Sequence, residues 1–355
     1  MSDKAYRELA RRLDALPHRY PATESGVEVR FLQKLFTPEQ ALLGSVMTGD
    51  AMPADDIAGL AGIEVREARR TLKDMVRLGL IFLRRKPGEG RRGMQYALMP
   101  FVVGFYEAQL HRLDAEMAAL FEEYFHASGG LDIPGPSVHR VVPVGEAVKG
   151  DVDVQPYDQA VALIEGAKSW AVRDCICRKQ QQLLDKGCDS PMEVCLSFAP
   201  VEGYFGDSRV DRKITKQEAL AKLREAADAG LVHTVGNYKE NHNYICNCCS
   251  CCCGILRRIG EFALPSAVAR SAYLAEADAD ACIACGACEE RCPVGAIKVE
   301  DVAMVDAGRC IGCGQCTLVC PTEAIALVSR PDGDVLEIPL DERSWEERRQ
   351  VARGE

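Results

Sequence analysis

The chain has 355 residues, 47% of them hydrophobic, and its 53 acidic against 43 basic side chains leave a net charge of −10. That length calls for two or three domains rather than one small core. The ordinary composition excludes global disorder and collagen-like repetition, and the acidic balance excludes a general nucleic-acid binder. All 18 cysteines lie between Cys175 and Cys320, so a cysteine-free front half precedes a thiol-rich back half. No apolar run approaches the roughly 20 residues that span a bilayer, and no membrane span is expected. The opening MSDKAYRELARRLDALPHRY is charged throughout and has no signal-peptide core. The expected location is the cytoplasm, where disulfides do not persist and clustered thiols read better as metal ligands.

In chain order, residues 37–100 predict helix, helix, helix, strand, turn, strand. Thr37-Pro38-Glu39 opens the first helix, with proline in its first turn. MPADDIAGLAG is a short helix ending at glycine. EVREARRTLKDMVRLGL follows, with Val65, Ala68, Leu72, Met75 and Val76 at helical spacing and Gly79 as its stop. IFLRRK and MQYALM then alternate as two strands around PGEGRRG. This pattern resembles a winged-helix domain over about 65 residues. Residues 64–92 carry ten basic side chains against four acidic ones, the electrostatic footprint of a duplex DNA reader. A basic face equally suits an acidic protein partner, so DNA is a weighed but not favoured partner. Gly88, Gly90 and Gly93 fit G-x-G-x-x-G, but a strand rather than a helix follows, so no dinucleotide site is expected. Residues 101–127 predict a long amphipathic helix with Phe105, Leu110, Leu113, Met117, Leu120 and Phe121 inward, as a core face or a homodimer face.

LDIPGPSVHRVVPVG reads as a linker onto a middle domain with ten cysteines. Cys175, Cys177, Cys188 and Cys195 come first. Cys246, Cys248, Cys249, Cys251, Cys252 and Cys253 follow in CNCCSCCC. Between them Thr215 and Glu218 form a capping box, ALAKLREAADA continues the helix, Gly230 stops it, and LVHTV reads as a strand. Adjacent cysteines on a strand point to opposite faces, so six in eight residues cannot all be core packing. We expect a metal site that draws ligands from the first four cysteines and a subset of the second six. A 4Fe-4S cluster is the first choice and zinc the second; a redox-active or structural thiol cluster is the alternative. The block resembles cysteine-rich segments beside ferredoxin modules in multi-domain iron–sulfur proteins of anaerobes. Cys252-Cys253-Gly254 resembles the CCG motif of heterodisulfide-reductase-type subunits, but the second copy that family needs is missing. His233 and His242 are read as satisfied or surface side chains rather than ligands; Arg178 could donate to a cluster sulfide or pair with an acid, and the acid is the favoured partner.

Residues 282–293, CIACGACEERCP, and 310–321, CIGCGQCTLVCP, share the spacing C-x2-C-x2-C-x3-C-P. The repeat resembles the bacterial dicluster ferredoxins over about 55 residues. The resemblance implies two 4Fe-4S clusters with crossed ligation. One would be held by Cys282, Cys285, Cys288 and Cys320, the other by Cys310, Cys313, Cys316 and Cys292. Gly286, Gly312 and Gly314 would let backbone amides approach the sulfides. Zinc ribbons need C-x2-C pairs separated by a longer span, which this spacing does not offer. AIKVE, VAMVD and AIALVS are the flanking strands.

The expected fold class is multidomain α+β: a winged-helix-like domain with its long helix (1–128), a cysteine-rich α+β domain (129–275), a ferredoxin-like dicluster module (276–330) and a polar tail (331–355) whose DERSWEERRQVARG is a solvated helix. The leading function is an iron–sulfur electron carrier or subunit serving a partner redox enzyme. A redox-responsive DNA-binding regulator and an oxidoreductase with catalysis at the middle site are the alternatives.

Overall fold

The computed structural model describes residues 2–86, 88, 93–131, 135–144, 159–206, 211–331 and 337–354. The chain is of mixed helix and strand and divides into two compact units, residues 1–133 and 134–355.

The first unit contains α1 (Ser2–Asp14), α2 (Val27–Leu35), α3 (Pro38–Gly44), β1 (Met52–Pro53), α4 (Ala54–Ala61), α5 (Val65–Arg77), β2 (Ile81–Arg85), β3 (Met94–Leu98) and α6 (Ala115–Ala127). Helix α3 begins where Thr37 and Gln40 cap one another reciprocally. Helix α4 ends at Gly62, whose φ of +68° an L side chain resists. The three strands pair antiparallel in the order β1-β3-β2. Helix α5 buries Ala68, Leu72 and Met75, while Arg66, Arg69, Arg70, Lys73, Arg77, Arg84, Arg85 and Lys86 are exposed along α5 and β2. Pro87 and Glu89–Arg92, which contain much of the expected turn and its G-x-G-x-x-G, lie outside the described residues.

Residues 101–127 are not one helix. Val102 and Val103 are extended, and a short 3-10 turn spans Glu107–Gln109. Helix geometry is recovered only at α6, where the Asp114 carboxylate accepts the Met117 amide at 2.8 Å. Aromatic packing sets this path: the Phe101 ring lies within 5.7 Å of the rings of Tyr20, Phe31, Phe105, Tyr106, Phe121 and Tyr124. Phe105, Leu110, Met117 and Phe121 are buried in this unit's own core.

The second unit contains β4 (His139–Val142), α7 (Ala160–Glu165), β5 (Ser169–Asp174), α8 (Ile176–Leu183), β6 (Glu193–Ala199), β7 (Arg212–Ile214), α9 (Lys216–Asp228), β8 (Val232–Gly236), β9 (Tyr244–Cys248), α10 (Arg257–Glu261), β10 (Tyr273–Ala277), α11 (Ala287–Arg291), β11 (Ile297–Val299), β12 (Ala303–Val305), β13 (Ile325–Ser329) and α12 (Glu342–Ala352). Its centre is a six-stranded antiparallel sheet in the order β4-β8-β9-β6-β5-β7. Helix α9 starts at the expected Thr215–Glu218 capping box, and β8 is the expected LVHTV strand. Helices α7 and α9 cover one face through Ile164, Ala219 and Leu223, against Val172, Leu196 and Ile245 of the sheet. Two small ribbons, β10 with β13 and β11 with β12, follow.

Two sequence expectations change here. The segment read as a linker contributes β4, because tertiary pairing with β8 overrides its flanking prolines. The tail helix α12 is not solvated all round: Trp345 and Arg349 are buried, and they donate to the carbonyls of Ser137 and Pro136 at 3.0 Å each.

His139 of β4 is buried between the Thr234 hydroxyl at 3.1 Å and the Tyr244 hydroxyl at 2.9 Å. Burial lowers its pKa from the ordinary 6.5 to about 4. The unfolded chain therefore binds this proton below about pH 6.5, and the folded chain only near pH 4. The stability it contributes is whole above pH 6.5 and is lost as the pH falls toward 4. Chemical denaturation should show His139→Gln losing on the order of 2 kcal/mol less than the wild type between pH 6.5 and 4.5. Parallel acid limbs for the two proteins would contradict this.

Candidate metal centres

In the first motif, Cys282 and Cys285 lie in an irregular loop that passes through Ala284 (φ +53°) and Gly286 (φ +80°). Cys288 then sits in α11, and Cys292 ends that helix. In the second motif the loop turns at Gly312 and Gly314, and Cys320 likewise closes a 3-10 turn over Thr317–Val319. The helical turn falls between the third and fourth cysteines because the three-residue spacer supplies one turn. Proline then prevents it from continuing.

Two cavities lie against these loops. The first is lined by Cys282, Cys285, Cys288 and, from the other motif, Cys320. The second is lined by Cys310, Cys313, Cys316 and Cys292. The remaining walls are almost all apolar, among them Ile283, Val299 and Ile325 in the first and Val294, Ile297 and Leu327 in the second. Backbone amides already reach the sulfurs: Ala296 donates to Cys292 at 3.1 Å and Ala303 to Cys282 at 3.4 Å. Burial pushes the Cys313 thiol up to about 12 and the Cys316 thiol higher than its usual value. Burial also opposes ionisation of Cys320, but the amides of Ile325, Thr322 and Ala324 and the Thr322 hydroxyl outweigh it, and that thiol is lowered. Four soft donors per apolar cavity, with amides aimed at sulfur, fit a thiolate-ligated iron–sulfur group.

Gly312 shows how closely the second loop is held. A Cβ there would lie 2.1 Å from the Ser271 hydroxyl oxygen and 2.2 Å from the Tyr273 carbonyl oxygen. The loop is also tied to the large sheet. The Val144 amide donates to the Cys313 carbonyl at 3.1 Å, and the Gln315 side chain to the Leu231 carbonyl at 2.7 Å. Arg291 donates to the carbonyls of Ala227 and Asp228 at 2.7 Å each.

The ten middle cysteines do not meet at one point. Cys175 caps α8 at the end of β5, Cys177 lies in the first turn of α8, and Cys195 lies on β6 opposite Arg173. Cys246 and Cys248 are two apart on β9 and share a face, while Asn247 between them turns away to His233 at 2.5 Å. The chain then leaves the strand, and Cys249–Cys253 form a turn closed by the Cys253 amide on the Cys249 carbonyl at 3.2 Å. As a result six thiols form a ring of neighbouring contacts, Cys175–Cys177–Cys253–Cys248–Cys246–Cys195 and back to Cys175. Contact with Cys177 and Cys195, helped by the Arg178 charge, holds the Cys175 thiol well below its usual range. The other four, Cys188, Cys249, Cys251 and Cys252, have their sulfurs all within 4.8 Å of one another.

Packing separates the two groups. Cys248 and Cys253 belong to the core that contains Cys288, Cys310, Cys313 and Cys316, with Cys246 packed against it. Cys249 and Cys252 belong to a small separate core with Val194, Ala226 and Leu231, against which Cys188 packs. Arg178 faces a sulfur rather than the acid favoured for it from the sequence. Its side chain is 1% exposed, donates to the Asn247 carbonyl at 3.1 Å, and lies 3.8 Å from the Cys249 sulfur. No carboxylate pairs with it among the described residues. Of the two histidines beside the second cysteine run, His242 stacks on Tyr238 with ring centroids 4.9 Å apart, and the His233 ring contacts the Asn247 side chain at 2.5 Å.

These features define an iron–sulfur binding module. Residues 281–324, about an eighth of the chain, match the family model of the 4Fe-4S dicluster domain. No curated protein matches the chain. No helix among the described residues is long and apolar enough to cross a membrane.

Proposed function

We propose that this chain is an electron-transfer protein or subunit that relays single electrons to a partner redox enzyme in the reducing environment of the cytoplasm. Cys282, Cys285, Cys288 and Cys320 hold one 4Fe-4S cluster, and Cys310, Cys313, Cys316 and Cys292 hold the second. The observation that carries this reading is the make-up of the two cavities, each lined by three cysteines of one motif and the fourth of the other. When bound, such clusters accept and release one electron at a time through their iron. The chain's own residues hold the thiolates, exclude water with apolar walls and place amides on the sulfurs.

The six-thiol ring is the place for a third iron–sulfur group, because three of its cysteines, Cys246, Cys248 and Cys253, pack in or against the same core as the cysteines of the two quartets. Exchange with a partner is favoured at the first cluster, where Cys285 is exposed and Ile283 is 62% exposed. In the first unit the helices α3 to α5 with β2 and β3 support a winged-helix assignment, and its basic face serves partner docking. Duplex DNA remains the competing ligand for that face, and a gel shift at low salt in both redox states separates the two readings.

Iron and sulfide analysis of anaerobically purified protein, with electron paramagnetic resonance after dithionite reduction, tests the whole. About 12 iron per chain is expected, about 8 removes the third cluster, and iron-free protein after cluster loading overturns the reading.

A further inference from the structure

We propose that Cys188, Cys249, Cys251 and Cys252 form a further, independent metal centre, a closed tetrathiolate site for a single zinc ion. The sulfur separations carry this. Cys188 and Cys249 are 3.9 Å apart, Cys188 and Cys252 3.7 Å, and Cys251 and Cys252 3.7 Å. A tetrahedron with zinc–sulfur arms of about 2.3 Å has edges of about 3.8 Å. The four ligands of a four-iron cube each bind a different corner iron and point outward from the core, so they stand farther apart than sulfurs all within 4.8 Å of one another allow.

Arg178 supplies an independent observation. Its Nε and Nη2 are buried without hydrogen-bond partners, and a buried guanidinium needs a counter-charge. Zinc binding displaces the remaining thiol protons and leaves the centre with a net charge of about −2 beside that guanidinium. A tetrathiolate site binds zinc more tightly than ferrous iron in the ordinary affinity order, and with four protein ligands it is a structural site rather than a catalytic one. The ion would clamp the loop carrying Cys188 to the turn that follows β9. It lies in a core separate from the iron–sulfur module, so it does not depend on the electron-transfer reading.

The test is zinc and iron analysis of the full-length protein together with zinc-edge X-ray absorption. About one zinc per chain is expected, with four sulfur neighbours at about 2.3 Å. Cys251→Ser, at an exposed position, and Cys188→Ser should each reduce zinc to background and leave iron unchanged. Cys246→Ser, in the ring, should lower iron and leave zinc in place. Wild-type protein with only background zinc, or a zinc shell containing nitrogen or oxygen, overturns the proposal. Loss of iron instead of zinc in Cys251→Ser does so as well. Absence of iron with zinc retained would sink the electron-transfer reading alone.

Discussion

Cys320→Ser should strip the cluster of the first motif, although Cys320 belongs to the second. Iron falls by about four per chain, and the combinations reveal which cluster has gone. Adding Cys282→Ser should remove no further iron, because both residues line the same cavity. Adding Cys313→Ser should remove about four more, because it lines the other. Ligation confined to each motif predicts the reverse, with Cys320→Ser and Cys313→Ser acting on one cluster and Cys282→Ser on another. The experiment reads non-additivity between residues that share one site, so partial damage from any single change does not obscure it. Electron paramagnetic resonance gives a second readout, since magnetic interaction between two reduced clusters disappears once either is lost.

Gly312→Ala should cost on the order of 3 kcal/mol or more, from overpacking added to left-handed backbone strain. It should also lower the iron held by the second loop. The added methyl group would meet the Tyr273 carbonyl oxygen at 2.2 Å, and backbone on both sides cannot move aside as a flexible side chain can. The two motifs provide the control. Ala284 occupies the matching position of the first loop at φ +53°, so positive φ by itself does not demand glycine there. The difference lies in what stands behind the loop: Ser271 and Tyr273 back the second. Ala284→Gly should therefore be close to neutral in thermal unfolding and iron content. Equal tolerance of both substitutions would show that the second loop relaxes away from Tyr273.

The same contrast explains which parts of the molecule were readable in the sequence. Helices α3, α4, α5 and α9 announce themselves through caps and glycine stops, which are local hydrogen bonds and local backbone conformations. Strand β4 does not, because what makes it a strand is β8, almost a hundred residues away. Residues 101–114 have helical periodicity, yet with the aromatic rings gathered around Phe101 the chain is extended at Val102 and Val103 and only a short 3-10 turn forms after them. The tail carries polar residues enough for a solvated helix, but Trp345 finds the Ser137 carbonyl across 208 positions of sequence.

For the metal centres, sequence by itself determined the thiol inventory, the repeated spacing of the dicluster motifs and therefore the chemical class, because three cysteines within seven residues must share a loop whatever surrounds it. Only the tertiary structure divided the ten middle cysteines into a ring of six and a set of four. Strand alternation puts Cys246 and Cys248 on one face, and the turn after β9 sends Cys249, Cys251 and Cys252 elsewhere while returning Cys253 to the ring. The partners that complete each group, Cys175, Cys177 and Cys195 for one and Cys188 for the other, arrive from distant strands and loops. Spacing constrains thiols only when the chain between them is too short to choose, and across the fifty residues separating Cys195 from Cys246 the fold makes that choice.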